Sequence, residues 1–112
     1  MKTAIVMFDS KGFVFLIKQM LQVLDFEVIE VDSVSKLSDF VDDKNIDVLL
    51  TDWTKSDEEC AGFFHLFPTV VVSSKNDTAT ILKALSVGAK EYIIKPFDND
   101  ILRSKLYLAG IL

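Results

Sequence analysis

The chain has 112 residues, half of them hydrophobic, with a formal net charge of −5 and one cysteine. This length fits a single domain with its own core, and the acidic balance argues against a nucleic-acid surface, which needs a basic stripe. No apolar run approaches membrane-spanning length. A lone cysteine excludes an internal disulfide and a cysteine-based metal cluster. Because Asp9 comes too early for a signal peptide, we expect a cytoplasmic protein without nucleic-acid or membrane partners.

Two hydrophobic periodicities alternate in the first part of the chain. Residues 3–8 have the continuous apolar pattern of a buried strand, and residues 11–24 carry apolar side chains at helical spacing. Residues 26–31 alternate more strictly, which is typical of an edge strand. Ser33 is a suitable N-cap for a second helix. Its expected apolar face is Val34, Leu37, Phe40 and Val41.

The most informative stretch is residues 46–53, IDVLLTDW, in which a continuous apolar run ends in a carboxylate. Such a run is typical of a strand that is buried on both faces, as in the middle of a parallel sheet. Asp52 then lies at the carboxyl end of this strand, where open α/β sheets bind their ligands.

The remainder continues the alternation. Ser56 begins a capping box, and Pro68 ends a short third helix. Residues 69–72 form the next strand. We expect Asp77 to cap a helix that ends at Gly88 and buries Ile81, Leu82 and Leu85. After a fifth strand at 91–94, Asp98 begins the last helix, which carries Ile101, Leu102, Leu106 and Ala109 on one side. The pattern predicts a doubly wound five-stranded parallel sheet with helices on both faces and a shortened third helix.

Polar groups follow four of these strands, namely Asp9, Asp52, Ser73 and Lys95. Because the carboxyl ends of parallel strands meet at one edge, the four side chains are expected to converge in a shallow pocket. Two neighbouring carboxylates repel each other, and a hard divalent cation would relieve that repulsion. A carboxylate nucleophile, Mg²⁺ and two donors together form a site for accepting a phosphoryl group.

The sequence resembles response-regulator receiver domains of the single-domain, chemotaxis type, over essentially residues 1–112. The resemblance implies the flavodoxin-like strand order. Its most specific part lies between residues 73 and 97. The residues that fall at the family's spacing there are Ser73, Ala84, Gly88-Ala89, Tyr92 and Lys95-Pro96-Phe97.

The resemblance implies a role for each matching residue. Asp52 would be the phospho-acceptor, and Mg²⁺ would be bound by Asp9, Asp52 and the backbone carbonyl of Thr54. Ser73 and Lys95 would contact the phosphoryl group. Tyr92 would change rotamer with Ser73 as the switch, and the Lys95-Pro96 bond would be cis. A histidine kinase or phosphotransfer protein would supply the phosphoryl group, and a downstream protein would recognise the result. The protein would not be an enzyme beyond self-catalysed phosphoryl transfer.

Three departures from the family pattern leave a second function open. Phe8 stands where an acid is usual, Ser56 replaces a proline, and the spacing from Asp52 to Ser73 is only 73 − 52 = 21 positions. The alternative is therefore a pseudo-receiver, a protein-interaction module that works without phosphorylation. A hydrolase that uses Ser73 with Lys95 as its base is remote, because no Gly-rich oxyanion segment follows Ser73.

Overall fold

The computed structural model describes residues 1–53 and 61–112 of the chain. Within them lies one five-stranded parallel sheet with the strand order β2-β1-β3-β4-β5. This confirms the predicted doubly wound sheet, and β2 is an edge strand as its alternating pattern predicted. The strands are β1 (Lys2–Met7), β2 (Phe26–Glu30), β3 (Val48–Thr51), β4 (Thr69–Ser73) and β5 (Glu91–Ile94).

Four α-helices lie in the part of the chain that the structure describes. Their bounds are α1 (Lys11–Val23), α2 (Val34–Leu37), α3 (Thr78–Ser86) and α4 (Asn99–Leu108), and a 3₁₀ turn, Ser38–Phe40, follows α2. None of the helices that the structure describes is long and apolar enough to cross a membrane. The predicted third helix begins at Ser56, which lies outside the described residues. Residues 61–67 form mainly turns, with Phe67 N donating to Phe63 O at 3.0 Å.

Two apolar clusters cover the two faces of the sheet. The first joins β1, β3, β4 and β5 to α1 and α4 through residues such as Leu50, Ile17 and Leu102. The second joins the other face to α2, α3 and residues 61–67, with Phe64 and Ala84 buried in it. Because β3 and β4 are covered on both sides, every residue of both strands is buried, as their continuous apolar runs predicted.

The caps of α3 and α4 agree with the sequence prediction, but the expected buried faces are partly wrong. Asp77 accepts from Thr80 N at 2.9 Å, and Asp98 accepts from Ile101 N at 2.9 Å. In α3, however, Leu82 is 60% exposed and Leu85 37% exposed, and the buried residue is Ala84. A buried alanine lets the helix backbone approach the sheet closely, so only a narrow stripe of α3 is covered. In α4, Ile101 is likewise exposed, while Leu102 and Leu106 are buried.

Of two further predicted helix ends, the start of α2 differs from the expectation and the end of α3 agrees with it. The Ser33 side chain makes no capping hydrogen bond to α2, and its hydroxyl lies 3.1 Å from that of Ser35. Gly88 ends α3 as predicted, with φ at +118°. A Cβ at this position would lie 3.0 Å from the ring of His65, so both the backbone conformation and the close approach require glycine.

Candidate functional site

The strand register brings the four predicted polar groups to one edge of the sheet. Met7 of β1 is paired with Thr51 of β3, so Asp52 follows β3 directly and Asp9 lies two residues beyond the end of β1. Ser73 is the last residue of β4 and is paired with Ile94, the last residue of β5. The backbone amide of Lys95 donates to the carbonyl of Ser73 at 2.9 Å, which continues this pairing beyond β5.

The alternation of side chains divides this edge into two sides. Phe8, Leu50 and Ile93 belong to the cluster under α1 and α4. Asp52 lies two positions beyond Leu50, and Lys95 lies two positions beyond Ile93. Because side chains alternate along a strand, both are on the same side of the sheet as Phe8. Tyr92 belongs to the opposite cluster. Ser73 follows Val71 of that cluster by two positions and is therefore on the side of Tyr92.

The structure brings Asp52 and Lys95 into an ion pair. Lys95 Nζ lies 3.5 Å from Asp52 Oδ2, and the two side chains are 24% and 32% exposed respectively. The other carboxylate oxygen, Oδ1, accepts from the backbone N–H of Trp53 at 2.7 Å. These contacts hold the Asp52 carboxylate at the end of β3 while leaving it partly open to solvent.

Phe8 and Phe13 also lie close to the Lys95 ammonium. Lys95 Nζ lies 3.9 Å from the centre of the Phe13 ring and 5.5 Å from the centre of the Phe8 ring. The two rings meet edge to face, with their centres 4.8 Å apart. Sequence reasoning assigned no role to Phe13. Its helical spacing placed it on the inner face of α1, which is the signal that could have identified it.

Ser73 and Tyr92 are linked by the loop between β4 and α3. Ser73 is 2% exposed, and its Oγ accepts from Lys75 N at 3.2 Å. The Tyr92 hydroxyl donates to the carbonyl of Lys75 at 2.9 Å, and its ring is 3% exposed. In this structure the ring is therefore already inside, so an inward turn on switching would have to start from another conformation.

Burial raises the pKa of Tyr92 above its ordinary value of 10.0. The Ser73 hydroxyl acts in the opposite direction, while the negative charges of Asp52 and Asp77 add to the increase. The phenol is therefore neutral at physiological pH and available as a hydrogen-bond donor.

The predicted metal ligands are only partly described. Asp9 is exposed, and it is not the cap of α1, because Ser10 Oγ accepts from Phe13 N at 3.2 Å. Thr54, whose carbonyl was the third predicted ligand, lies outside the described residues. Within residues 1–53 and 61–112, no three His, Cys, Asp or Glu side chains are grouped as metal ligands. Two carboxylates at one sheet edge nevertheless fit a hard cation that keeps most of its water, as Mg²⁺ usually does.

The comparisons with known proteins agree with this fold. The family model of the response regulator receiver domain matches residues 4–107. Chemotaxis protein CheY1 of Helicobacter pylori is 30% identical over an alignment of 116 residues that covers 88% of each chain. The chain therefore belongs to the response-regulator receiver family.

Solved structures support the fold independently. A response regulator receiver domain protein from Clostridium thermocellum has a TM-score of 0.83 at 22% identity, covering 97% of this chain and 94% of that one. A response regulator protein from Burkholderia pseudomallei has a TM-score of 0.79 at 17% identity, covering 95% of this chain and 66% of that one. The latter is described with a phosphorylated aspartic acid, a calcium ion and citrate. At these identities the similarity establishes the fold alone.

Proposed function

We propose that this receiver domain accepts a phosphoryl group on Asp52 from a histidine kinase or a phosphotransfer protein. The observation that carries the proposal is the ion pair at the sheet edge, in which Lys95 Nζ lies 3.5 Å from a partly exposed Asp52 carboxylate. Receiver domains are signalling domains and generally not enzymes, so the expected chemistry is transfer to the domain itself. Membership of the family supports this assignment, but function has to be argued from the site rather than the fold.

The proposed transfer is a displacement at phosphorus. An oxygen of the Asp52 carboxylate forms a bond to phosphorus while the bond from phosphorus to the donor breaks, and the donor leaves with that electron pair. The product is an acyl phosphate. Hydrolysis then returns the carboxylate and inorganic phosphate. The Lys95 ammonium, already beside Asp52, would move its contact from the carboxylate to the transferred phosphoryl oxygens.

Ser73 would supply the second donor. The Ser73 oxygen accepts a hydrogen bond from the N–H of Lys75. Its own O–H would then be free to donate to a phosphoryl oxygen. Movement of Ser73 would disturb the loop whose Lys75 carbonyl holds the Tyr92 hydroxyl. This gives a physical route from the site to a surface around α3, β5 and α4, which a downstream protein would recognise.

Asp9 and Asp52, with the carbonyl of Thr54, would bind Mg²⁺. When bound, Mg²⁺ neutralises charge that develops on the phosphoryl oxygens. The calcium ion and phosphorylated aspartic acid described for the Burkholderia pseudomallei protein support this kind of site. Because Phe8 takes the place of a neighbouring acid, we expect weaker Mg²⁺ affinity than a site with one more carboxylate has. A domain of this kind would work in the cytoplasm, where histidine kinases present their phosphoryl groups.

The test is to incubate the protein with acetyl phosphate and Mg²⁺ and to measure the intact mass. We expect the addition of one phosphoryl group to the wild type and none to Asp52→Asn. Asp100→Asn, which removes an exposed acid in the first turn of α4 that is not one of the site residues, is the matched control and should react like the wild type. No mass increase in the wild type would contradict the proposal.

A pseudo-receiver is the second candidate, and one specific observation favours it. Phe8 is only 9% exposed and packs in the core, so an apolar ring occupies a position beside the metal site. In this case the domain would bind its partner equally well without Mg²⁺ or phosphorylation. Partner binding that is unchanged in Asp52→Asn would distinguish this function from the first.

A further inference from the structure

Lys95 has aromatic neighbours as well as the Asp52 carboxylate. A cation within about 6 Å of the centre of an aromatic ring is attracted by the negative potential of the ring face. Lys95 Nζ meets this condition twice, at 3.9 Å from Phe13 and at 5.5 Å from Phe8. The ammonium therefore contacts the Asp52 carboxylate and the faces of two aromatic rings at the same time.

Both rings have packing partners other than Lys95. Phe8 directly follows β1 and is buried in the cluster under α1 and α4. Phe13 lies in the first turn of α1, where its N–H donates to the capping oxygen of Ser10 at 3.2 Å. The Phe13 ring also meets the Phe97 ring edge to face, with the centres 6.3 Å apart. The rings are thus a preformed surface on which a flexible lysine side chain can lie.

We propose that Phe13, with Phe8 packed against its edge, is a positioning residue that holds the Lys95 ammonium beside Asp52 for phosphoryl transfer. This inference rests on the function proposed above. A lysine side chain loses considerable rotamer freedom when it is held in one place. If the rings restrict Lys95 before the reaction, that loss is not incurred again in the transition state.

The aromatic character of the contact also affects the charge that Lys95 can offer. A carboxylate at position 8 would attract the ammonium and offset its charge. A ring attracts the ammonium without carrying a net charge, so the full positive charge remains available to the phosphoryl oxygens. Phe8, which departs from the family pattern as a metal-site residue, therefore has a role on the lysine side of the same site.

The position of Lys95 can be measured directly by NMR. Protons above the face of an aromatic ring are shifted upfield, so the ε-methylene protons of Lys95 should resonate upfield of those of the other lysines. Phe13→Leu should abolish this shift, and Phe13→Tyr should preserve it. Phe15→Leu is the matched control, because it makes the same change on the same helix at a ring that is 63% exposed. It should leave the Lys95 signals unchanged.

The rate of phosphorylation by acetyl phosphate tests whether positioning matters. Phe13→Leu should slow the reaction about two- to thirty-fold, the range that corresponds to a cation–π contact. Phe13→Tyr should react within about twofold of the wild type, because it retains the ring face. Should Phe13→Leu lose its fold in urea titration, Phe13→Met fills a similar volume without a ring and replaces it in both measurements.

The outcomes separate this inference from the proposed function. Wild-type protein that takes up no phosphoryl group contradicts the function itself. Wild-type protein that is phosphorylated, while folded Phe13→Leu or Phe13→Met reacts at the wild-type rate, contradicts the positioning role alone. Slower transfer in these variants together with a preserved rate in Phe13→Tyr supports it.

Discussion

Removal of the Phe64 ring should cause a large loss of stability. The side chain is 2% exposed, lies in the cluster with Leu49 and Val71, and has its ring centre 6.2 Å from that of Trp53. Substitution of a buried phenylalanine by alanine typically costs about 3–5 kcal/mol. The lower value applies if neighbouring side chains move into the space. For a domain of this size, about 3 kcal/mol corresponds to a fall in Tm of about 10–20 °C.

Urea titration followed by far-UV circular dichroism measures this loss. Trp53, the single tryptophan, gives a second probe by fluorescence, and both transitions should coincide if unfolding is two-state. Phe15→Ala is the matched control. Its ring is 63% exposed, so its free energy of unfolding should change by no more than about 0.5 kcal/mol.

A loss below about 1 kcal/mol in Phe64→Ala, with an unchanged m value, would contradict this prediction. The ring would then lie on the surface in solution, and the packing of residues 61–67 against the sheet would be wrong. An aromatic patch exposed in this way would instead indicate a binding surface.

Three further predictions concern the site. Phe8→Asp should tighten Mg²⁺ binding about tenfold by adding a charge near the cation. It should also lower the free energy of unfolding by about 3 kcal/mol, because it removes a buried ring. If Trp53 fluorescence does not respond to Mg²⁺ in the wild type or in Phe8→Asp, the metal site is contradicted. Beryllofluoride with Mg²⁺ should shift amide resonances in residues 79–88 and 91–105, whereas shifts confined to the pocket would mean binding without switching. The pKa of Tyr92 is higher in the folded protein than in the unfolded chain. Protonated Tyr92 should therefore stabilise the fold fully below about pH 10, and this stabilisation should be lost as the pH rises through the folded-state pKa. Urea midpoints measured across this range should fall more steeply for the wild type than for Tyr92→Phe, and parallel curves would contradict the raised pKa.

The sequence predicted the sheet well because its strands are buried on both faces. A short continuous apolar run such as that of Val48–Thr51 is typical of a buried strand and is too short for most buried helices. Helix faces were harder to predict. The apolar residues of α3 extend around more of the helix surface than the part that packs against the sheet. Leu82 is exposed because Ala84 makes the close contact. Hydropathy alone favours the larger side chain, whereas packing favoured the smaller one.

The site was predictable where it depends on topology. Parallel strands bring their carboxyl ends to one edge, so residues at the ends of four different strands could be grouped from the sequence. The contact between Phe13 and Lys95 joins α1 to the end of β5, and no local pattern encodes such a distant pair. The inward position of the Tyr92 ring likewise depends on the conformation of the loop after β4.

Phosphorylation of Asp52 is tested most directly by locating the modified residue after reaction with acetyl phosphate and Mg²⁺. Reduction of the acyl phosphate with borohydride, followed by peptide mass analysis, marks the carboxyl group that accepted the phosphoryl group. We expect modification at Asp52, and we expect Lys95→Ala to slow the reaction and Asp9→Asn to weaken its dependence on Mg²⁺. An unmodified protein, or modification at another acid such as Asp9 with Asp52 intact, would contradict this expectation.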